Sequence, residues 1–90
     1  MKIYNRLFLQ IILNMEIKEK IGKRLRELRT TKGLSQEKFS FECGLDRTYI
    51  ASIEQGKRNV SVVNIEKIAT ALGFSMSEFF NSNLFQNDKN

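Results

Sequence analysis

The 90-residue chain has no histidine, no proline and a single cysteine. Without histidine it lacks the usual general base and the commonest metal ligand. Cys43 alone can close no internal disulfide and build no thiolate metal cluster, and a lone thiol suits a reducing cytoplasm. Zinc fingers, disulfide scaffolds and histidine-dependent enzymes are thereby excluded, and neither a metal nor another cofactor is expected. No carboxylate pair sits in an evident cleft pattern either, so the chain reads as a binding protein and not an enzyme. Long apolar runs are also missing. Residues 1–15 hold ten apolar side chains of fifteen, but Gln10 and Asn14 break the run, whereas a membrane span needs roughly 20 consecutive apolar residues. No small-residue cleavage site follows it, so no signal peptide is expected.

What remains is globular in composition: 41% apolar and 28% charged residues with a net charge of +5. A domain this small buries a modest share of its surface and gains stability by dimerising. The charge is uneven. Residues 16–33 carry seven basic and three acidic groups, residues 34–60 four of each, and residues 61–90 two basic against three acidic. The basic excess points to an anionic partner, and the aromatic C-terminal third points to a protein partner.

From Glu16 the spacing is helical. Ile17, Ile21, Leu25 and Leu28 form one amphipathic face that ends at Gly33. Gly22 interrupts this run as a candidate for close backbone packing. Ser35 caps a short helix from Gln36 to about Glu42 that buries Phe39, with Phe41 a further candidate. Cys43-Gly44-Leu45 breaks the chain, and Asp46 caps a helix of about Arg47 to Gln55 with Ile50 and Ile53 inward. Gly56 stops it before the basic loop Lys57-Arg58-Asn59. Ser61 caps a helix from Val62 to Leu72 with Val62, Ile65, Ile68, Ala69 and Leu72 on its core face. Ser75-Met76-Ser77-Glu78 has capping-box spacing and opens a short helix through Phe79 and Phe80. The organisation is therefore an apolar segment 1–15, a helical domain 16–81 and a polar tail 82–90 in which Leu84 and Phe85 can dock. The first segment is either an extra element, packed on the domain or across a dimer, or an extension upstream of a start at Met15. A membrane-surface anchor ranks third.

Two short helices joined by a three-residue glycine turn have helix-turn-helix geometry. The second of them projects its N-terminal side chains into the major groove while the first crosses the backbone. Arg47, Thr48, Ser52 and Gln55 lie on one polar stripe opposite Ile50 and Ile53. Arginine can bond guanine O6 and N7 together, and threonine can offer a hydroxyl and a methyl to thymine.

The stretch GLSQEKFSFECGLDRTYIASIEQGKRNVSVVNIEKIATALGFSMSEFF resembles the phage repressor/Cro-type helix-turn-helix family, also called xenobiotic-response-element-like. The order LDRTYI, IE, GKRN is most like the controller proteins of restriction–modification systems. The resemblance covers Ile17–Phe80 and implies an all-α, five-helix, repressor-like DNA-binding domain. It implies base contacts at Arg47, Thr48 and Ser52, and phosphate contact at Gln36, which its place at a helix start also suits. Tyr49 takes a position that meets backbone or a deformed groove, and Lys57, Arg58 and Asn59 a loop that grips phosphate. Arg29 and Glu54 match a structural ion pair. Ser52 and Gln55 are equally readable as polar residues on an exposed face, Tyr49 as a cover for the core edge, and the loop lysine and arginine as solvated. Lys23, Arg24 and Arg26 read as a solvent-facing basic surface, and Cys43 as a small packing residue.

Phe74, Phe79, Phe80 and Phe85, with Met76, read either as core or, since a core of this size does not need four extra phenylalanines, in part as a two-fold interface, for which Phe74, Met76, Phe79 and Phe80 are the candidates. The expected function is a transcriptional regulator bound as a homodimer to a pseudo-palindromic double-stranded operator. It would take no small-molecule ligand, dock to no membrane, and sit in the cytoplasm, associated with the nucleoid through DNA. RNA polymerase becomes a partner if the regulator activates. A general phage or plasmid repressor, or an antitoxin-like regulator, is the alternative within the class. A helical protein-interaction module is the alternative outside it.

Overall fold

Among the described residues, most helices start on a side chain that accepts an orphan amide, and most stop on a glycine that turns left-handed. The computed structural model describes residues 5–86, which hold six α-helices, a terminal 3₁₀ turn and no strand. They are α1 (Arg6–Asn14), α2 (Ile17–Thr31), α3 (Gln36–Cys43), α4 (Arg47–Glu54), α5 (Val62–Ala71) and α6 (Met76–Phe79), with the 3₁₀ turn at Asn83–Phe85. Ser35, Asp46, Ser61 and Ser75 cap α3 to α6 through their side chains, and Ser75 and Glu78 complete a capping box. Glu16 and Glu19 form another at the start of α2. Gly33, Gly56 and Gly73 take positive φ at the helix ends and close paired amide bonds onto the last carbonyls.

Ile21, Leu25, Leu28, Phe39, Ile50, Ile53, Ile65, Ile68, Ala69, Leu72 and Phe79 form one buried core. α4 lies at its centre, packed by α2 and α3, while α5 backs α3 and carries α6. Five α-helices follow residue 16, as the repressor-like fold implies, and α1 adds a sixth before them. Leu7 and Ile11 on α1 stay exposed, at 68% and 54%. Within residues 82–86, Leu84 is buried and Phe85 is half-buried against the core.

Three expected core residues are outside it. Ile17 and Val62 are each the first residue of their helix and overhang the core, and Phe41 is 89% exposed. Phe41 lies two residues after the buried Phe39, about 200° around a helix of 3.6 residues per turn, so one helix cannot bury both against the same neighbours.

Gly22 explains how α2 comes so close to α4. A Cβ there would overlap the Ile53 carbonyl oxygen and lie 3.1 Å from Glu54 Cα, both rigid backbone. Gly22→Ala should gain about 1 kcal/mol of helix propensity and lose more by forcing the helices apart. The expected net loss is up to about 2 kcal/mol, the usual overpacking cost of about 1–3 kcal/mol less that gain. Urea unfolding measures it; an unchanged midpoint would mean that α2 and α4 separate freely.

Candidate nucleic-acid interface

The sharp turn between α3 and α4 follows from Gly44, whose φ of 73° ends α3 and lets Leu45 and Asp46 redirect the chain. Asp46 then starts α4, so its first two residues, Arg47 and Thr48, stand exposed at the N-terminal end of that helix. The helix dipole adds a partial positive charge there, favourable to an anion.

Glu54, at the other end of α4, fixes how this end is presented. Its side chain is fully buried. Arg29 grips it with a fork, Nε to Oε2 at 2.6 Å and Nη2 to Oε1 at 2.9 Å, and spends Nη1 on the Leu34 carbonyl at 2.6 Å. Gln36 Nε2 donates to Oε1 at 3.0 Å and Arg26 Nε to the same oxygen at 3.3 Å. One carboxylate therefore joins α2, α3 and α4. Burial pulls this carboxyl upward, but Arg29, Gln36 and Arg26 together outweigh it and hold it below the usual carboxylate range. The Glu54 bond raises the Arg29 guanidinium further above its ordinary value. Gln36, expected on a phosphate, is thus half-buried with one amide hydrogen already committed to Glu54.

A second cluster joins the side of α4 to the loop after it and to α5. Ser52 Oγ donates to the Tyr49 carbonyl at 2.8 Å, so its lone pairs are left to accept. Arg58 Nε donates to Ser52 Oγ at 3.0 Å, and its guanidinium carbon stands 5.2 Å from the centre of the Tyr49 ring. Asn64 of α5 donates from Nδ2 to the Tyr49 hydroxyl at 3.1 Å. The structure therefore brings Tyr49, Ser52 and Arg58 together, with Arg58 anchored by its Nε edge. Lys57 and Asn59 flank it, exposed, on the loop that the Gly56 turn throws off the end of α4. Ser52 is half-buried and occupied within the chain, Arg47 and Thr48 are exposed, the Thr48 hydroxyl being bonded to the Asp46 carboxylate, and Gln55 is exposed at the helix end.

Two residues carry more than their sequence position announces. Asn64 reaches Tyr49 from fifteen residues away, and nothing in helical spacing signals that. Arg24, expected on a solvated basic face, is turned inward. Its Nε donates to the Phe79 carbonyl at 2.7 Å and its Nη2 to the Glu78 carbonyl at 3.0 Å, which caps the end of α6. Glu27 holds the other side of its guanidinium at 2.8 Å.

The residues expected at a subunit interface divide. Phe74, Met76 and Phe80 are half-buried. Phe79 is corrected: it is fully buried in this chain's own core, because a single helical turn can point only part of its surface inward and Phe79 takes that side. Cys43 is half-buried, and burial raises its thiol pKa, which lowers its reactivity. Among the described residues no group of side chains could hold a metal ion, and no helix is long and apolar enough to cross a membrane.

A family model described as helix-turn-helix matches residues 25–79, the span that contains both clusters. The chain belongs to the helix-turn-helix family. Control protein C.MunI from a Mycoplasma species is similar to this helix-turn-helix protein at 54% identity over 66 residues, covering 72% of this chain and 89% of that one. Among solved structures, the restriction-modification controller protein C.AhdI from Aeromonas hydrophila superposes with a TM-score of 0.67 at 59% identity, over 70% of this chain and 96% of its own. The controller protein C.Esp1396I, solved as a tetramer with its natural 35 base-pair operator, superposes at 0.69 with 33% identity, over 74% of this chain and 88% of its own.

Proposed function

We propose that this helix-turn-helix protein is a sequence-specific regulator of transcription, of the kind that controls restriction–modification systems, and that it binds a pseudo-palindromic operator as a homodimer. The observation that carries the reading is the exposed start of α4, where Arg47 and Thr48 face solvent, with Arg58 anchored to Ser52 of the same helix and Glu54 fixing the helix from behind. The controller proteins it resembles, one of them solved on its operator, support the same reading. In this account Arg47 and Thr48 face base edges. Lys57, Arg58 and Asn59 track phosphates, and Gln36 uses the amide hydrogen that Glu54 leaves over. Tyr49 and Ser52 act mainly by holding Arg58. Met76, Phe74 and Phe80 face the second subunit. The regulator performs no chemistry, and its place in the cell follows from the DNA it binds. Two subunits would set their recognition helices about 34–36 Å apart, one turn of the duplex.

Selection from a random duplex library, with the enriched pool re-bound across a salt series, tests the reading. An enriched pseudo-palindrome with half-sites about one turn apart is the expected result. Binding without enrichment that vanishes near physiological salt would leave only non-specific electrostatics and would favour a protein-interaction module. On the selected site, Arg47→Ala should cost about 1–3 kcal/mol and relax one base position. Lys57→Ala should weaken all sequences alike and shrink the salt slope by about one unit. If Arg47→Ala weakened selected and random DNA equally, Arg47 would join the phosphate contacts instead.

A further inference from the structure

The cap of α4 does more than start the helix. Asp46 Oδ2 accepts the Thr48 amide at 3.2 Å, and the same oxygen accepts the hydrogen of the Thr48 hydroxyl. A threonine hydroxyl has one hydrogen and two lone pairs. With its hydrogen turned back to a carboxylate, Thr48 presents lone pairs and a methyl to anything in front of it. An ionised carboxylate is the stronger acceptor, since charge-assisted bonds are roughly twice as strong as neutral ones, so a base carbonyl does not draw the hydrogen away. The Thr48 hydroxyl in turn holds the exposed Asp46 carboxyl below its ordinary value, which keeps it an acceptor alone at neutral pH.

In the major groove the donors are adenine N6 and cytosine N4, while thymine and guanine offer lone pairs alone; adenine adds an acceptor at N7. A hydroxyl that can only accept is matched by the first pair and opposed by the second. We propose that Asp46 is a specificity-determining residue, which makes Thr48 select an amino-bearing base, adenine or cytosine, on the strand it faces. The inference rests on the regulator reading, with Thr48 in the groove. It replaces the expectation from sequence that the hydroxyl would meet thymine. Every base pair carries one amino group in that groove, so the selection is between a pair and its inversion.

The test uses the full chain and the site selected by the unmodified protein, with each base pair inverted in turn. At the pair that Thr48 reads, the unmodified protein should disfavour the inversion by about tenfold, in line with one good base contact. Thr48→Ser should keep that discrimination and Thr48→Val should lose it. Asp46→Gly should also lose it at the same pair while the other positions keep theirs. Glycine at a helix N-cap costs only a few tenths of a kcal/mol relative to aspartate, and a thermal melt checks that the variant folds. Removing the carboxylate raises affinity for all DNA, but the ratio between a site and its inversion cancels that change. Discrimination retained by Asp46→Gly, or by Thr48→Val through its methyl, would overturn the proposal. So would thymine or guanine at the position that the Thr48 variants identify, a result that stands even if Asp46→Gly fails to fold. No enriched site for the unmodified protein would instead remove the regulator reading itself.

Discussion

Glu54→Ala should remove a large share of the protein's stability. The substitution leaves the Arg29 guanidinium buried, with its Nε and Nη2 hydrogens facing the space the carboxylate held and only the Leu34 carbonyl still bonded. Removing one partner of a buried pair costs about 3–5 kcal/mol. Small domains have about 5–15 kcal/mol in total, and in a domain of this size the loss lowers the melting temperature by more than about 12 °C. Gln36 and Arg26 lose a bond each as well, so the orientation of α3 relaxes with that of α4. Replacing both partners with apolar residues, Arg29→Met with Glu54→Leu, should recover most of the stability, because no buried charge is then left alone. If the double variant is stable and still binds its selected DNA tightly, the pair serves stability alone. If it is stable and binds loosely, the pair also fixes the recognition helix. A melting temperature for Glu54→Ala within a few degrees of the parent would mean that the pair is exposed in solution.

The same carboxylate makes stability depend on acid. Because Glu54 is held below its ordinary value in the fold, its contribution is complete above the unfolded value of about 4.3. It is lost as the pH falls through the folded value. Melts at descending pH should therefore be flat near neutrality and fall below about pH 4.3, and the Arg29→Met, Glu54→Leu variant should fall less. An equal fall in both would assign the acid sensitivity elsewhere.

The contrast between what the sequence discloses and what it hides follows from range. The helix ends were legible because a cap is made by residues two or three apart: Asp46 with Thr48, Ser35 with Lys38, Ser75 with Glu78. The buried stripes of α4 and α5 were legible because Ile50 and Ile53, or Ile65, Ile68 and Ala69, repeat at the helical period. The pair Arg29–Glu54 came from the family resemblance, not from spacing. The reach of Arg24 to α6, across 55 positions, came from neither, since a long side chain carries no mark of its distant acceptor. Thr48 is the instructive intermediate. Its place in the reading stripe is visible in the sequence, while the direction of its hydroxyl depends on Asp46, which the sequence shows only as a cap.

Phe79→Ala should cost about 3–5 kcal/mol, the range for a buried phenylalanine truncated to alanine, and should destabilise without specifically separating subunits. Phe79 is fully buried, its ring meets Phe80 edge-on at 5.1 Å and its carbonyl accepts from Arg24 at 2.7 Å. The residue therefore pins α6 to α2 from inside, and Phe79→Asp adds an unpaired buried charge to the cavity. Met76 occupies the same turn but is half-buried. Met76→Asp should then leave the far-ultraviolet signal and melting temperature of the isolated subunit little changed while shifting sedimentation from dimer to monomer. The two variants separate packing from association: a folded, monomeric Phe79→Asp would return Phe79 to the interface. A folded Met76→Asp that still sediments as a dimer would move the interface off α6. The physical expectation favours the division seen in the structure, because a helix of four residues has one inward side, and in this chain Phe79 holds it.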